Sequence, residues 1–354
     1  VKGRGASSNP SPRFERLRVV SEVDLAQERF DPESATHYLI DRTRNVISFN
    51  SSPDLPFDAS VNPYRGCAHG CPYCYARPTH EYLGFSAGLE FETRIMVKPD
   101  APQLLCSELS SKAWRPRVLV LSGVTDAYQP IERSLRLTSR CLEVLAQHEN
   151  PVGIVTKNHL VTRDIDLLLK LSSKGGVRVD LSITTLDNRL AAKMEPRASS
   201  PRARLDAIRE LSSAGVCAGV SLAPVIPGLN DREIPQILQA VRDAGGRFAG
   251  FGLLRLPGVV GEIFDGWLAE NLPERHKKIL HQLSQSRGGN VDERRFFHRF
   301  KGQGPYFEAI RSMFETHRSR LGLAPGPRLR TPTGQKATKA ESGPAPSTQM
   351  RLFA

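Results

Sequence analysis

The sequence predicts an α/β fold in which about six parallel strands form an open or partial barrel with helices outside it. Three observations predict it. Short apolar runs and amphipathic stretches alternate from residue 116 onward. No run approaches the roughly 18 apolar residues of a membrane span. The 354 residues, 39% hydrophobic and 24% charged, suffice for a sizeable core. So few strands do not make a full eight-stranded barrel, and a doubly wound sheet is the alternative. In either arrangement ligands belong at the carboxyl ends of the strands.

Arg117 leads into the apolar run Val118–Leu121, a strand ending at Ser122-Gly123. Pro130 opens a helix whose inner face carries Ile131, Leu135, Thr138, Leu142 and Leu145. Val152, Ile154 and Val155 form the next strand, closing at Thr156-Lys157-Asn158, and Ile165, Leu168, Leu169 and Leu171 fit the helix behind it. Val177, Val179, Leu181 and Ile183 alternate as a strand does. Ser200 and Pro201 make an N-cap and first-turn pair for a helix bearing Leu205, Ile208 and Leu211. Gly215 stops that helix, and Val216, Ala218, Val220 and Leu222 follow as a strand. After the turn Pro227–Asp231, Asn230 with Glu233 fits a capping box. Phe248, Phe251, Leu253, Leu254 and Leu256 supply a last strand among glycines, and one more strand is expected ahead of the cysteines.

The body is expected to span residues 17–324, without an internal linker. Residues 1–16 read as a flexible or docking basic arm, and residues 325–354, poor in large apolar side chains, as a disordered tail. The formal charge is +12, and it is uneven. Residues 1–20 hold five basic groups against one acidic, and a basic extension over 287–330 holds ten against four. Such a field suits a polyanion, because each phosphate contact releases counterions. Within the extension Arg294, Arg295, Phe296, Phe297, His298, Arg299, Phe300 and Lys301 interleave cations and rings, a pattern that stacks bases but is also that of an ordinary amphipathic strand. No apolar run follows the basic start, so a secretory signal is not expected. Six cysteines, three of them within eight residues, favour a reducing, cytoplasmic compartment and a metal site over a disulfide framework.

Those three are Cys67, Cys71 and Cys74, in the segment Gly66-Cys67-Ala68-His69-Gly70-Cys71-Pro72-Tyr73-Cys74-Tyr75. Three thiolates on one loop can each hold one iron of a cubane cluster, leaving a fourth iron open to a chelating substrate or cofactor. Gly66 and Gly70 let the backbone wrap closely. A zinc site completed by His69 or His80 is the competing reading, although no second ligand pair follows at suitable spacing.

The C-x3-C-x-aromatic-C spacing of Cys67, Cys71, Tyr73 and Cys74 resembles the signature of the radical S-adenosylmethionine superfamily. Val124-Thr125-Asp126, Thr156-Lys157, Met194-Glu195-Pro196-Arg197 and Pro224–Asp231 resemble its spore photoproduct lyase-like, DNA repair photolyase-like branch. The opening Lys2–Ala6 with Ser8-Asn9-Pro10 is similar to a bacterial subgroup of that branch. The likeness runs from about residue 2 to 320. It implies a partial (β/α)6 barrel, a [4Fe-4S] cluster on the three cysteines, and S-adenosylmethionine chelated by the open iron. It also implies a 5′-deoxyadenosyl radical that abstracts hydrogen, and reduced flavodoxin or ferredoxin as electron donor.

At the remaining positions the resemblance and the residues combine. Lys157, at a strand end, is expected to pair with the cofactor carboxylate. Ser182 and Thr184 share one strand face, so that either hydroxyl reaches the cofactor. Glu195 is expected to order its loop over the cofactor through an arginine, Arg197, Arg202 or Arg204, and Asn230 to contribute from its turn. Tyr73 is expected against the adenine. Tyr73, Tyr75 and Asp126 are the candidates for catalysis, the tyrosines through radical return. The relatives that repair the spore lesion carry a cysteine just before the segment matching Thr125-Asp126; Ser122-Gly123-Val124 has none, so that repair itself is not expected. Gln349-Met350-Arg351-Leu352-Phe353 resembles the peptides that bind the bacterial replication sliding clamp. The leading expectation is therefore radical chemistry on nucleic acid, most simply DNA repair or base modification. The alternatives are the same chemistry on a protein or metabolite, and a non-catalytic zinc-stabilised nucleic-acid-binding protein.

Overall fold

A computed structural model describes residues 3–14, 35–121, 123–174, 176–327 and 329. The tail peptide Gln349–Phe353 and Ser122 lie outside the described residues, as do Arg16 and Arg18 of the basic start. The strands are β1 (His37–Ile40), β2 (Ile47–Phe49), β3 (Ala59–Val61), β4 (Tyr64–Arg65), β5 (Arg94–Val97), β6 (Leu119–Leu121), β7 (Val152–Thr156), β8 (Val177–Ser182), β9 (Ala218–Val225) and β10 (Ala249–Leu253).

Seven of them form one sheet in the order β10-β9-β8-β7-β6-β3-β2. From β3 to β10 every neighbouring pair is parallel, giving six parallel strands, and only β2 runs antiparallel on the edge. The ends of this order are not paired with each other, so the barrel stays open. β3 is the strand expected before the cysteines. β7 and β8 are buried along almost their whole length, as parallel strands covered on both faces must be. Val152, Ile154, Val179, Leu181 and Val220 are fully enclosed in the core with Leu168, Leu171, Ile208 and Leu211 from the helices outside. A separate sheet, β1-β5-β4, was not foreseen.

Three local expectations are corrected. The helix after Pro130 is two helices, Glu132–Leu135 and Leu137–Gln147, broken at Arg136, whose φ of 53° is left-handed; Leu135 consequently lies exposed. Leu169 also faces outward, while Leu168 and Leu171 are buried. Asn230 caps nothing with its side chain, and Glu233 accepts instead from Thr185 Oγ1 and the Leu186 amide at 2.7 Å each. Ser200 does cap its helix, accepting from the Ala203 amide.

The described part of the basic arm is docked. The Gly5 and Ala6 amides donate to the two oxygens of buried Glu92 at 3.1 and 2.9 Å. Gly5 lies so close to the cysteine loop that a Cβ there would sit 1.6 Å from the Gly70 carbonyl oxygen. The basic extension from 287 is likewise part of the body: the helix Gly304–Arg320 packs Phe314 on Phe251 of β10, with ring centroids 4.7 Å apart. Much of its charge is internally matched. Arg294, Arg295, Arg311 and Arg318 each face an acidic neighbour, and Arg287 and Arg299 are buried.

Candidate active site

The chain leaving β3 enters the cysteine loop at the carboxyl end of the barrel. Left-handed Gly66 (φ 75°) and Gly70 (φ 70°) shape that loop, and neither has room for a side chain: a Cβ would lie 2.9 Å from the Phe91 carbonyl oxygen and 2.6 Å from Glu92 Oε2 respectively. Arg77, wholly buried, braces it from behind. Its guanidinium donates to the Cys71 carbonyl at 2.9 Å, to the Ala87 and Gly88 carbonyls, and to Glu92 at 2.5 Å. Glu92 thus ties the docked arm and the loop to one buried ion pair.

The thiols fit an iron–sulfur cluster. Cys67 and Cys74 pack with Phe91 and Val124, and Cys71 and Cys74 with Tyr73 and the apolar group around Leu254 and Leu256, so the donors are shielded from water. Burial pushes the Cys71 thiol well up and the Cys74 thiol up to about 11, and the neighbouring thiols push in the same direction. The protein alone opposes the thiolates that a cationic iron centre would stabilise. Among the described residues no group of three His, Cys, Asp or Glu side chains could hold a metal ion. A single zinc ion would need such convergence. A cluster that offers each thiolate a different iron does not. His80 is buried, stacked on Phe85 and kept neutral by burial, which pushes its pKa down to about 3.

Beside the loop, the ends of the neighbouring strands converge. Lys157, one residue past β7, places Nζ 2.5 Å from Ser182 Oγ and 3.3 Å from Glu195 Oε1. Glu195 is buried and is the hub: it accepts from the Tyr73 hydroxyl, from Thr184 Oγ1 at 2.8 Å, and pairs with Arg204. Burial opposes its charge, but Arg204 first and then Lys157 outweigh that and hold its carboxyl down at about 2. The arginine partner is thus Arg204, not Arg197, which reaches Thr36, nor the exposed Arg202. Arg204 also donates to the Ser182 and Ser199 carbonyls.

Asp126 brackets this network to the cysteine loop. Its Oδ1 accepts from the Tyr128 amide at 2.9 Å and Thr156 Oγ1 at 2.7 Å, and its Oδ2 from the Lys157 amide at 2.8 Å, with His69 Nδ1 at 3.3 Å. Burial opposes its ionisation, and the His69 charge beside it more than compensates, holding it below the usual carboxylate range. With both oxygens committed, Asp126 is placed to position the loop rather than to touch a substrate. Asn230 is likewise spent: its amide donates to the Thr184 and Pro224 carbonyls and its oxygen accepts from the Ile226 amide. Thr184 faces Glu195, and the Ser182 hydroxyl accepts from Lys157 while donating to the Ala223 carbonyl at 3.0 Å. Tyr73 is buried, whereas Tyr75 is 51% exposed and donates to the Gly123 carbonyl at 2.8 Å.

Sequence reasoning missed His69 as a partner, Arg77 with Glu92, and Arg255. The first stood inside the cysteine motif, and its position between two ligands was a usable signal. The others carried no local signal: Arg77 and Glu92 meet only through the fold, and Arg255 stands apart from any motif. The other cysteines sit elsewhere: Cys141 in the main core, Cys106 against His148, and Cys217 just before β9, at the end opposite the mouth.

Comparison with known proteins bears on the family and the fold. Residues 61–241 match the Radical SAM superfamily. An uncharacterized protein of Mycobacterium tuberculosis is 34% identical over 276 residues, covering 77% of this chain and 80% of its own. One of Methanocaldococcus jannaschii is 30% identical over 227 residues, 64% of this chain and 81% of its own. The solved structure of spore photoproduct lyase complexed with dinucleoside spore photoproduct superposes with a TM-score of 0.58 at 17% identity, covering 82% of this chain and 80% of that one.

Proposed function

The chain belongs to the radical SAM superfamily and is an enzyme whose cofactors are a [4Fe-4S] cluster and S-adenosylmethionine; from that premise we propose that it acts on nucleic acid, as a DNA repair or base-modifying enzyme of the cytoplasm. When bound, the reduced cluster and S-adenosylmethionine supply a 5′-deoxyadenosyl radical that removes hydrogen from a substrate carbon.

The chain's own residues divide the remaining work. Cys67, Cys71 and Cys74 hold the cluster. The observation that carries the rest is Lys157 Nζ, fixed between Ser182 Oγ and Glu195 beside the cysteine loop. An ammonium so placed attracts a carboxylate, and Ser182, itself tied to the Ala223 carbonyl, fixes where it points. Glu195 anchors the ammonium at 3.3 Å and holds Tyr73 in the loop by accepting its hydroxyl. Tyr75, at the mouth, is better placed than buried Tyr73 to return a hydrogen atom. A small reduced redox protein, flavodoxin or ferredoxin, is the proposed electron donor. Nucleic acid is favoured by the +12 charge and by the nucleoside ligand bound by a protein of the same fold. Repair of the spore lesion itself is disfavoured, since among the described residues no cysteine stands at the mouth beyond the three of the loop.

Anaerobically reconstituted protein, given reductant and S-adenosylmethionine, is expected to release 5′-deoxyadenosine, and more of it with DNA. Stimulation by peptides or metabolites but not by DNA or RNA would replace the nucleic-acid reading.

A further inference from the structure

Arg255 lies two residues beyond β10, the last strand of the barrel, while the cysteine loop follows the first parallel strand. The two come together, since Cys71, Tyr73 and Cys74 of the loop pack in one apolar group with Leu254 and Leu256 on either side of Arg255. Among the described residues Arg255 makes no hydrogen bond and no ion pair. Its guanidinium only rests on the Phe300 ring, 5.6 Å from the centroid, with Nε buried and without a partner. A half-buried cation with unused donors at a strand's carboxyl end is unusual, since leaving buried donors unmet costs free energy in the folded protein.

The surroundings hold both groups in place. Buried Arg287 donates to the Leu253 and Leu254 carbonyls, just before Arg255, and to the Arg299 and Lys301 carbonyls, on either side of Phe300. Arg299 in turn pairs through two nitrogens with Asp54, at 2.9 and 2.6 Å. Pinned this way, the segment turns Phe296, Phe297 and Phe300 outward, each between 42% and 52% exposed. Phe297 has a φ of 66°, a left-handed backbone that a bulky residue rarely adopts, and Asp54 holds its amide at 3.0 Å. Bases have π-faces for such rings, and phosphates match a free guanidinium.

We propose that Arg255 and Phe300, with the exposed rings beside them, form a subsite for one nucleotide unit of the substrate, the guanidinium taking a phosphate and the rings a base. The inference rests on the nucleic-acid reading and can fail separately from it. Full-length protein is titrated against a fluorescein-labelled single-stranded oligodeoxynucleotide and its abasic counterpart over a range of salt concentrations. For Arg255→Ala the expected result is affinity at least tenfold weaker and a log–log salt slope shallower by about 0.7. Arg255→Lys keeps the charge and is expected to lie between. For Phe300→Ala the expected loss is about fivefold or more on the base-bearing strand and less than twofold on the abasic one. Cluster absorbance and DNA-independent 5′-deoxyadenosine release should stay at the parent level in all three, and Arg255→Ala should melt no lower than the parent. If the parent binds the oligodeoxynucleotide and the variants match it within twofold, the subsite is overturned while the nucleic-acid reading stands. If the parent binds it no better than a polyglutamate of equal charge, that reading falls and the subsite with it.

Discussion

On the cysteine-loop side of the mouth, the buried charges of the described residues that surround the cofactor region meet partners inside the protein. Glu195 faces Arg204 and Lys157, Asp126 faces His69, and Glu92 faces Arg77 and two arm amides. At the end of β10, Arg255 makes no hydrogen bond or ion pair among the described residues and only stacks on Phe300, and three phenylalanines are about half exposed. The contrast separates two tasks. A wall that holds a cofactor gains from satisfied, rigid networks, because each buried charge left alone would be costly. A wall that meets a large substrate keeps hydrogen-bond donors in reserve and leaves ring surface half exposed, even where Arg299 and Arg255 lie over Phe296 and Phe300.

Removing a partner on the saturated side should therefore have the largest effect. Arg204→Met leaves the buried Glu195 carboxylate with Lys157 as its remaining cation, and a loss of about 3–5 kcal/mol is expected by denaturant unfolding. Glu195→Gln added to Arg204→Met should restore much of it; no restoration would mean that Arg204 acts through packing. Arg202→Ala, two positions away but exposed, is expected to stay within about 0.5 kcal/mol.

The docked arm comes next. Gly5→Ala forces a methyl against the Gly70 carbonyl, so the arm must lift from Glu92 and the loop loses a brace. A cost of about 1–3 kcal/mol is expected, with faster iron loss to a chelator. Unchanged iron retention would make the arm a passenger.

Acid sharpens the same contrast. Glu195 titrates near 2 in the folded chain against an ordinary 4.5. Its stabilisation is complete above about pH 4.5 and is lost as pH falls from there towards 2, because the unfolded chain binds the proton first. Glu195→Gln should flatten the parent's acid limb across that window in urea melts followed as a function of pH. A parallel limb would show that Glu195 is not the group responsible.

The saturated wall was partly legible in the sequence. The cysteine spacing, the Thr156-Lys157 strand end and the Met194–Arg197 segment all come to one place, and the six parallel strands follow the apolar rhythm. The sheet β1-β5-β4 was not legible, because strands of two to four residues give no periodicity to count. The break at Arg136 was hidden because its left-handed turn uses an arginine where glycine is the usual signal. Asn230 looked like a cap because capping and tertiary struts call for the same amide. The open wall was least legible. Arg255 stands alone in sequence, and the charge run around 294–301 gave no sign that Arg299 is an internal anchor or that Arg287 holds both segments.

The smallest effect is expected at Phe297, and it tests whether the open wall bears a cost in stability for function. A packed phenylalanine loses several kcal/mol when truncated, but this one is 52% exposed on a left-handed backbone. Asparagine tolerates that backbone better than a bulky ring does. Phe297→Asn should therefore leave stability unchanged or raise it by up to about 1 kcal/mol, while weakening binding of base-bearing single-stranded DNA. A clear loss of stability would make Phe297 a structural residue. A gain in stability with binding intact would mean that the strained ring serves something other than a base.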